Sequence, residues 1–136
     1  MPFSNPAITK GLYFLAISFL LFSCTTYRTE PKAPAFTKDT AAITSELQDM
    51  VACEKITING IQTTTNNNAV TSQLIISFVN AKNDNKKLNE TGKTIAAQLK
   101  QYLQDPNEFD SYKVAFVKKK GLASFSEDYT YSKNDL

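Results

Sequence analysis

The sequence predicts an α+β domain of two layers: a mainly antiparallel four-stranded sheet with two helices on one face, in the order α-β-β-α-β-β. Two stretches, Asp39–Val51 and Asn89–Gln104, space their apolar residues at helical intervals. Each is followed by a pair of stretches in which apolar and polar residues alternate, the mark of half-buried strands. An apolar run at the very front, Gly11–Phe22, stands apart from this pattern and is read as a leader outside the domain.

In the first helix, Ile43, Leu47, Met50 and Val51 form one face, with Thr37 as the expected N-cap and Asp39 in the first turn. Cys53–Thr65 is the first strand. Ile56 and Ile58 alternate with polar neighbours, and Ile61 falls out of phase after Gly60, which predicts a bulge or bend there. Asn66-Asn67-Asn68 makes the turn, because Asn tolerates positive φ. The return strand, Ala69–Asn80, places Val70, Leu74, Ile76 and Phe78 on one face, with Ser72 as the exception.

Ala81–Leu88 reads as a charged loop. The second helix carries Ile95, Leu99, Tyr102 and Leu103 as a stripe, with Asn89 as N-cap and Asp105-Pro106 as the stop. Ser111–Lys119 is apolar on both faces, which suits a central strand. Lys119-Lys120-Gly121 is the expected turn into a last strand whose Phe125, Tyr129 and Tyr131 face the core. Ser132–Leu136 reads as a frayed tail.

The composition narrows the chemistry. A formal charge of +2 over 136 residues does not suit a nucleic-acid binder, which carries a strongly basic face. There is no His, the commonest general base and metal ligand. The four glycines are isolated, so no phosphate loop is present. These features lead us to expect no cofactor, no metal and no catalytic centre.

The leader divides at one bond. Gly11–Phe22 follows Lys10 and spans roughly 18 Å as a helix, short of the ~30 Å hydrocarbon core, so it reads as a cleaved signal helix rather than a membrane span. Leu21-Phe22-Ser23-Cys24 then resembles the lipobox of bacterial lipoproteins: a branched aliphatic residue, a second residue, a small one and the obligatory Cys. Phe22 departs from that pattern, in which small or aliphatic residues are commoner. The resemblance covers about the first 24 residues. It implies cleavage between Ser23 and Cys24, diacylglycerol on the Cys24 thiol, an amino terminus open to acylation, and a membrane as partner. Thr25, where Asp favours inner-membrane retention in some bacteria, tips the expectation to the outer membrane. With Cys24 acylated, Cys53 is left as an unpaired core thiol.

The organisation expected is therefore residues 1–23 as signal peptide, 24–36 as lipidated Cys and flexible linker, and 37–136 as the domain. Pro31 and Pro34 suit an extended linker. For the domain, the expected role is a non-catalytic module that binds an envelope partner. The densest basic cluster, Lys113 with Lys118, Lys119 and Lys120, is the candidate contact for that partner or for lipid headgroups. A small hydrolase using Glu54, Glu127 or Asp128, and an inhibitor or immunity-type lipoprotein, are the alternatives.

Overall fold

The computed structural model describes residues 26–82 and 85–136. Met1–Ser23, the Ser23–Cys24 cleavage site and Cys24 itself lie outside the described residues. The elements are β1 (Tyr27–Pro31), α1 (Thr40–Met50), β2 (Lys55–Thr65), β3 (Val70–Val79), α2 (Leu88–Tyr102), β4 (Ser111–Lys120) and β5 (Ala123–Ser132). Short 3₁₀ turns cover Asn85–Lys87 and Lys133–Asp135.

The sheet corrects the expected architecture. It has five strands in the order β1-β2-β3-β4-β5, and it is mixed: β3 and β4 run parallel while the other neighbours are antiparallel. The element order is β-α-β-β-α-β-β, not α-β-β-α-β-β. The parallel pair follows from α2, a crossover that carries the chain back to the end of the sheet where β3 began. The fifth strand lies inside the segment read as a flexible linker. β1 is exposed along its whole length and pairs with β2 from Tyr27 opposite Thr65 to Pro31 opposite Ile61. Pro31 lacks a donor and sits at the end of an edge strand, where that loss is tolerated.

The rest of the supposed linker is also docked. The Lys32 amide donates to Gly60 O at 2.8 Å, its ammonium to Glu108 O at 2.8 Å, and the same ammonium lies 5.0 Å from the Phe109 ring centre. Phe36 bridges to Leu103, and the Thr37 amide and hydroxyl donate to Tyr102 O. Gly60 itself lies in unbroken register with Leu74, so there is no bulge. It is glycine because an added Cβ would stand 2.0 Å from Lys32 O and 2.9 Å from the Phe109 ring.

One face of the sheet carries the core. Leu74, Ile76 and Phe78 of β3 and Tyr112, Val114 and Phe116 of β4 pack with Ile43, Leu47 and Val51 from α1 and Leu88, Ile95, Ala96 and Leu99 from α2. Both helices therefore share that face. Ser72 breaks the apolar pattern and is nonetheless buried, because its hydroxyl donates to Glu108 O at 3.0 Å. The Tyr112 hydroxyl is, among the described residues, a buried polar atom without a hydrogen-bond partner; burial, with Glu108 and Asp105 nearby, pushes it up to about 12. Cys53 packs against the core edge as a free thiol, and burial pushes its pKa up.

The helix starts also differ from expectation. Asp39, not Thr37, caps α1 by accepting from the Ala41 amide. α2 begins at Leu88 behind Lys87, without a side-chain cap. Asn89, just inside α2, accepts instead from the Tyr131 hydroxyl, through its backbone oxygen at 2.6 Å and Oδ1 at 2.9 Å. That hydroxyl is 2.6 Å from where a Cβ on Gly92 would stand. Gly92→Ala adds about 1 kcal/mol of helix propensity, yet it should lower the melting temperature by several degrees because the hydroxyl must move. Adding Tyr131→Phe should recover most of the loss in thermal denaturation. A stabilised single variant would contradict this packing of α2 on β5.

The tail is tied down rather than frayed. Lys100 Nζ donates to Lys133 O at 2.6 Å and Leu136 O at 3.3 Å, and Leu136 packs against the core.

Candidate functional site

The lysine cluster foreseen in the sequence divides in the structure. β4 and β5 stay paired beyond the last rung of β3, Val79 opposite Val117, so residues 118–125 form a two-stranded arm. Lys119 and Lys120 are strand residues of this arm, paired with Ser124 and Ala123. The turn is Gly121-Leu122, with Gly121 at φ +63° as a two-residue hairpin turn demands. Asn80 pins the root of the arm. At φ 54° it donates its own amide to Val117 O at 2.8 Å, accepts from the Lys119 amide at 2.9 Å, and donates its side-chain amide to Glu54 Oε2 at 2.5 Å.

Lys113 is not part of this arm. It points to the sheet face opposite the helices and pairs with Asp128 at 2.8 Å. Lys119 is six steps further along β4, roughly 20 Å away. The arm itself carries Lys118–Lys120 beside two apolar side chains in solvent, Leu122, fully exposed, and Phe125 at 65%. Phe125 has the parity of Tyr129 and Tyr131 but lies past the end of β3, so it has no core to cover it. The expected core-facing row thus ends at Tyr129.

The carboxylates considered for hydrolysis do not converge. Glu54 is engaged by Asn80. Glu127 accepts from the Tyr129 hydroxyl, which that bond raises to about 12. Asp128 lies on the opposite sheet face; its bond from Lys113 holds its carboxyl below the usual range. Among the described residues there is no group of three or more His, Cys, Asp or Glu placed to hold a metal.

The acidic stretch 105–110 has a structural role. Asp110 Oδ2 accepts from the Ser72 amide at 2.9 Å and hydroxyl at 3.2 Å, and Oδ1 from Lys133 at 3.2 Å. The Ser72 amide bond above all holds the Asp110 carboxyl below its ordinary value of 3.8. A lowered folded-state pKa means that the stabilisation is complete above about pH 4 and is lost as pH falls through the folded value. Asp110→Ala should cost about 1–2 kcal/mol at pH 7, kept small because the carboxylate is 45% exposed. The difference from the parent protein, measured by urea unfolding, should shrink at pH 3 and below. A pH-independent difference would show that the charge is not what matters.

At the other end of the sheet, the start of β1 lies beside the β2–β3 turn. Thr26, Tyr27 and Arg28 line a shallow groove with Thr64, Thr65 and Asn66. Tyr27 is 67% and Val70 53% exposed. Asn68 supplies the positive φ of the turn, at 62°, as expected for an Asn there. Arg28 pairs with Glu30 at 2.6 Å.

No family model and no curated protein sequence matches the chain. One solved structure is similar, the precursor of the sex pheromone staph-cAM373, at 15% identity and a TM-score of 0.49. The match covers 89% of this chain and 45% of that one, so the chain spans less than half of that protein's length. Among the described residues no helix is long and apolar enough to cross a membrane.

The sequence pattern did not single out Asn80 or Lys32, and it marks Asp110 only as the end of the acidic stretch that stops α2 and leads into β4. A signal for Asp110 was present in Ser72. A serine in an otherwise apolar strand face is buried, so it needs a partner from elsewhere in the chain.

Proposed function

We propose that this chain is a lipid-anchored lipoprotein of the bacterial cell envelope, and that its α+β domain is a non-catalytic binding module. The observation that carries the reading is the run Leu21-Phe22-Ser23-Cys24, placed two residues ahead of the described domain. A diacylglyceryl group with a further acyl chain gives a stable anchor, since each buried CH₂ contributes about 0.8 kcal/mol and one chain alone holds only reversibly. Thr25 after the cysteine goes with an outer-membrane address. The β4–β5 arm is the surface this reading offers to an envelope partner. Its lysines supply attraction to an acidic surface, and Leu122 and Phe125 supply apolar area to bury.

Cys24→Ala tests the anchor. The variant should leave the membrane fraction, or persist as an unprocessed chain of higher mass, while Cys53→Ala should behave as the parent. An unchanged membrane fraction together with an unchanged mass would overturn the reading.

A further inference from the structure

The two ends of the sheet are far apart, and the position of the anchor relative to them has a consequence. Only Thr25 and Thr26 stand between Cys24 and Tyr27. Covalent geometry alone limits the span from Cys24 to Tyr27 to about 10 Å. Tyr27 is the first residue of β1 and lies opposite Thr65, at the β2–β3 turn. The ladder from Val70 to Val79, and on from Val117 to Gly121, extends about 40 Å in the other direction.

Resting on the lipid-anchor reading, we infer that the sheet end carrying Tyr27, Arg28, Asn66–Asn68 and Val70 is seated on the bilayer surface, and that the lysine-bearing arm is held about 40 Å above it. The tether is too short to let the domain turn over. Twelve residues of free linker would reach up to about 40 Å, but β1 and the docked segment behind it take up that slack. The chemistry of the seated end suits a headgroup region. Tyr27 offers an apolar ring with a polar tip and Val70 a small exposed apolar side chain, while Arg28, exposed and paired with Glu30 at 2.6 Å, keeps further guanidinium donors that can turn to phosphate. The Thr and Asn side chains of the turn can exchange water for headgroup hydrogen bonds. The arm at the far end faces whatever lies across from the membrane, so Lys118–Lys120 serve a partner and not the headgroups of the anchoring bilayer.

The test uses the full chain, processed in a bacterial host and reconstituted in vesicles of phosphatidylcholine with phosphatidylglycerol. On a Cys53→Ser background, single cysteines at Asn67, Val70 and Leu122 are labelled with an environment-sensitive fluorophore. Probes at Asn67 and Val70 should emit at shorter wavelength and lose most of their emission to a headgroup-borne quencher. A probe at Leu122 should keep its aqueous spectrum and be untouched by the quencher. Vesicle flotation of each labelled protein, with Cys24→Ala in parallel, separates the two claims. Flotation that needs Cys24, with Asn67 and Val70 left in water or Leu122 quenched, overturns the orientation while leaving the anchor. A parent chain that does not float overturns the anchor reading and the orientation with it.

Discussion

Gly60→Ala should destabilise the domain by about 3 kcal/mol, equivalent to a fall in melting temperature of roughly 10 °C or more. Alanine is ordinarily a mild change in a strand. Here its Cβ would stand 2.0 Å from Lys32 O, which is backbone, and 2.9 Å from two atoms of a fully buried Phe109 ring. Neither neighbour is the free end of a flexible side chain. Relief requires the crossing segment to lift, which stretches the 2.8 Å bond from the Lys32 amide to Gly60 O and uncovers Phe109. Thermal and urea unfolding measure the loss. A change within about 0.5 kcal/mol, the range of ordinary surface substitutions, would show that the segment does not lie across β2 as described.

Removal of residues 26–35 should be at least as costly, about 3 kcal/mol or loss of folding. The segment contributes a five-residue strand and the cover over Phe109 and Gly60. Uncovering an aromatic side chain alone costs about 1.5–3 kcal/mol, partly offset by the freedom the lost residues no longer give up. A chain starting at Phe36 should therefore show a broadened or absent unfolding transition. A fully cooperative transition at the parent's midpoint would restore the view of this segment as a passive linker. The two predictions are coupled. With Lys32 gone, Gly60→Ala meets only the Phe109 ring, so its additional cost should fall well below its cost in the full chain.

The elements that bury one face announced themselves in the sequence. Ile43 and Leu47 mark α1, Ile95 and Leu99 mark α2, and Leu74, Ile76 and Phe78 mark β3, because burial on one side imposes a period that residue types reveal. β1 has no buried face, so Tyr27–Pro31 shows no alternation and its two-proline neighbourhood reads as linker. Its place in the sheet comes from backbone hydrogen bonds, to which side-chain pattern is blind. The parallel pairing of β3 with β4 was hidden for a similar reason, since a strand alternates in the same way whichever direction its neighbour runs.

Gly60 signalled a disturbance in the pattern of β2, but its cause lies in Lys32, twenty-eight residues earlier. The lysine run was visible as a run. That Lys119 and Lys120 extend the strands of an arm, and that Lys113 stands on the other face paired with Asp128, depends on register. The role proposed for Cys24 rests on the resemblance of Leu21-Phe22-Ser23-Cys24 to a lipobox, a pattern of residue types that no fold enters into.

The intact mass and N-terminal residue of the full chain, extracted from membranes with detergent, test the lipid anchor most directly. The mature protein should begin at Cys24, lack residues 1–23, and carry a diacylglyceryl group on the Cys24 sulfur that survives mild alkaline removal of its ester-linked chains as a glyceryl thioether. A membrane-extracted chain that still begins at Met1, or one whose Cys24 thiol reacts freely with a maleimide, would contradict it.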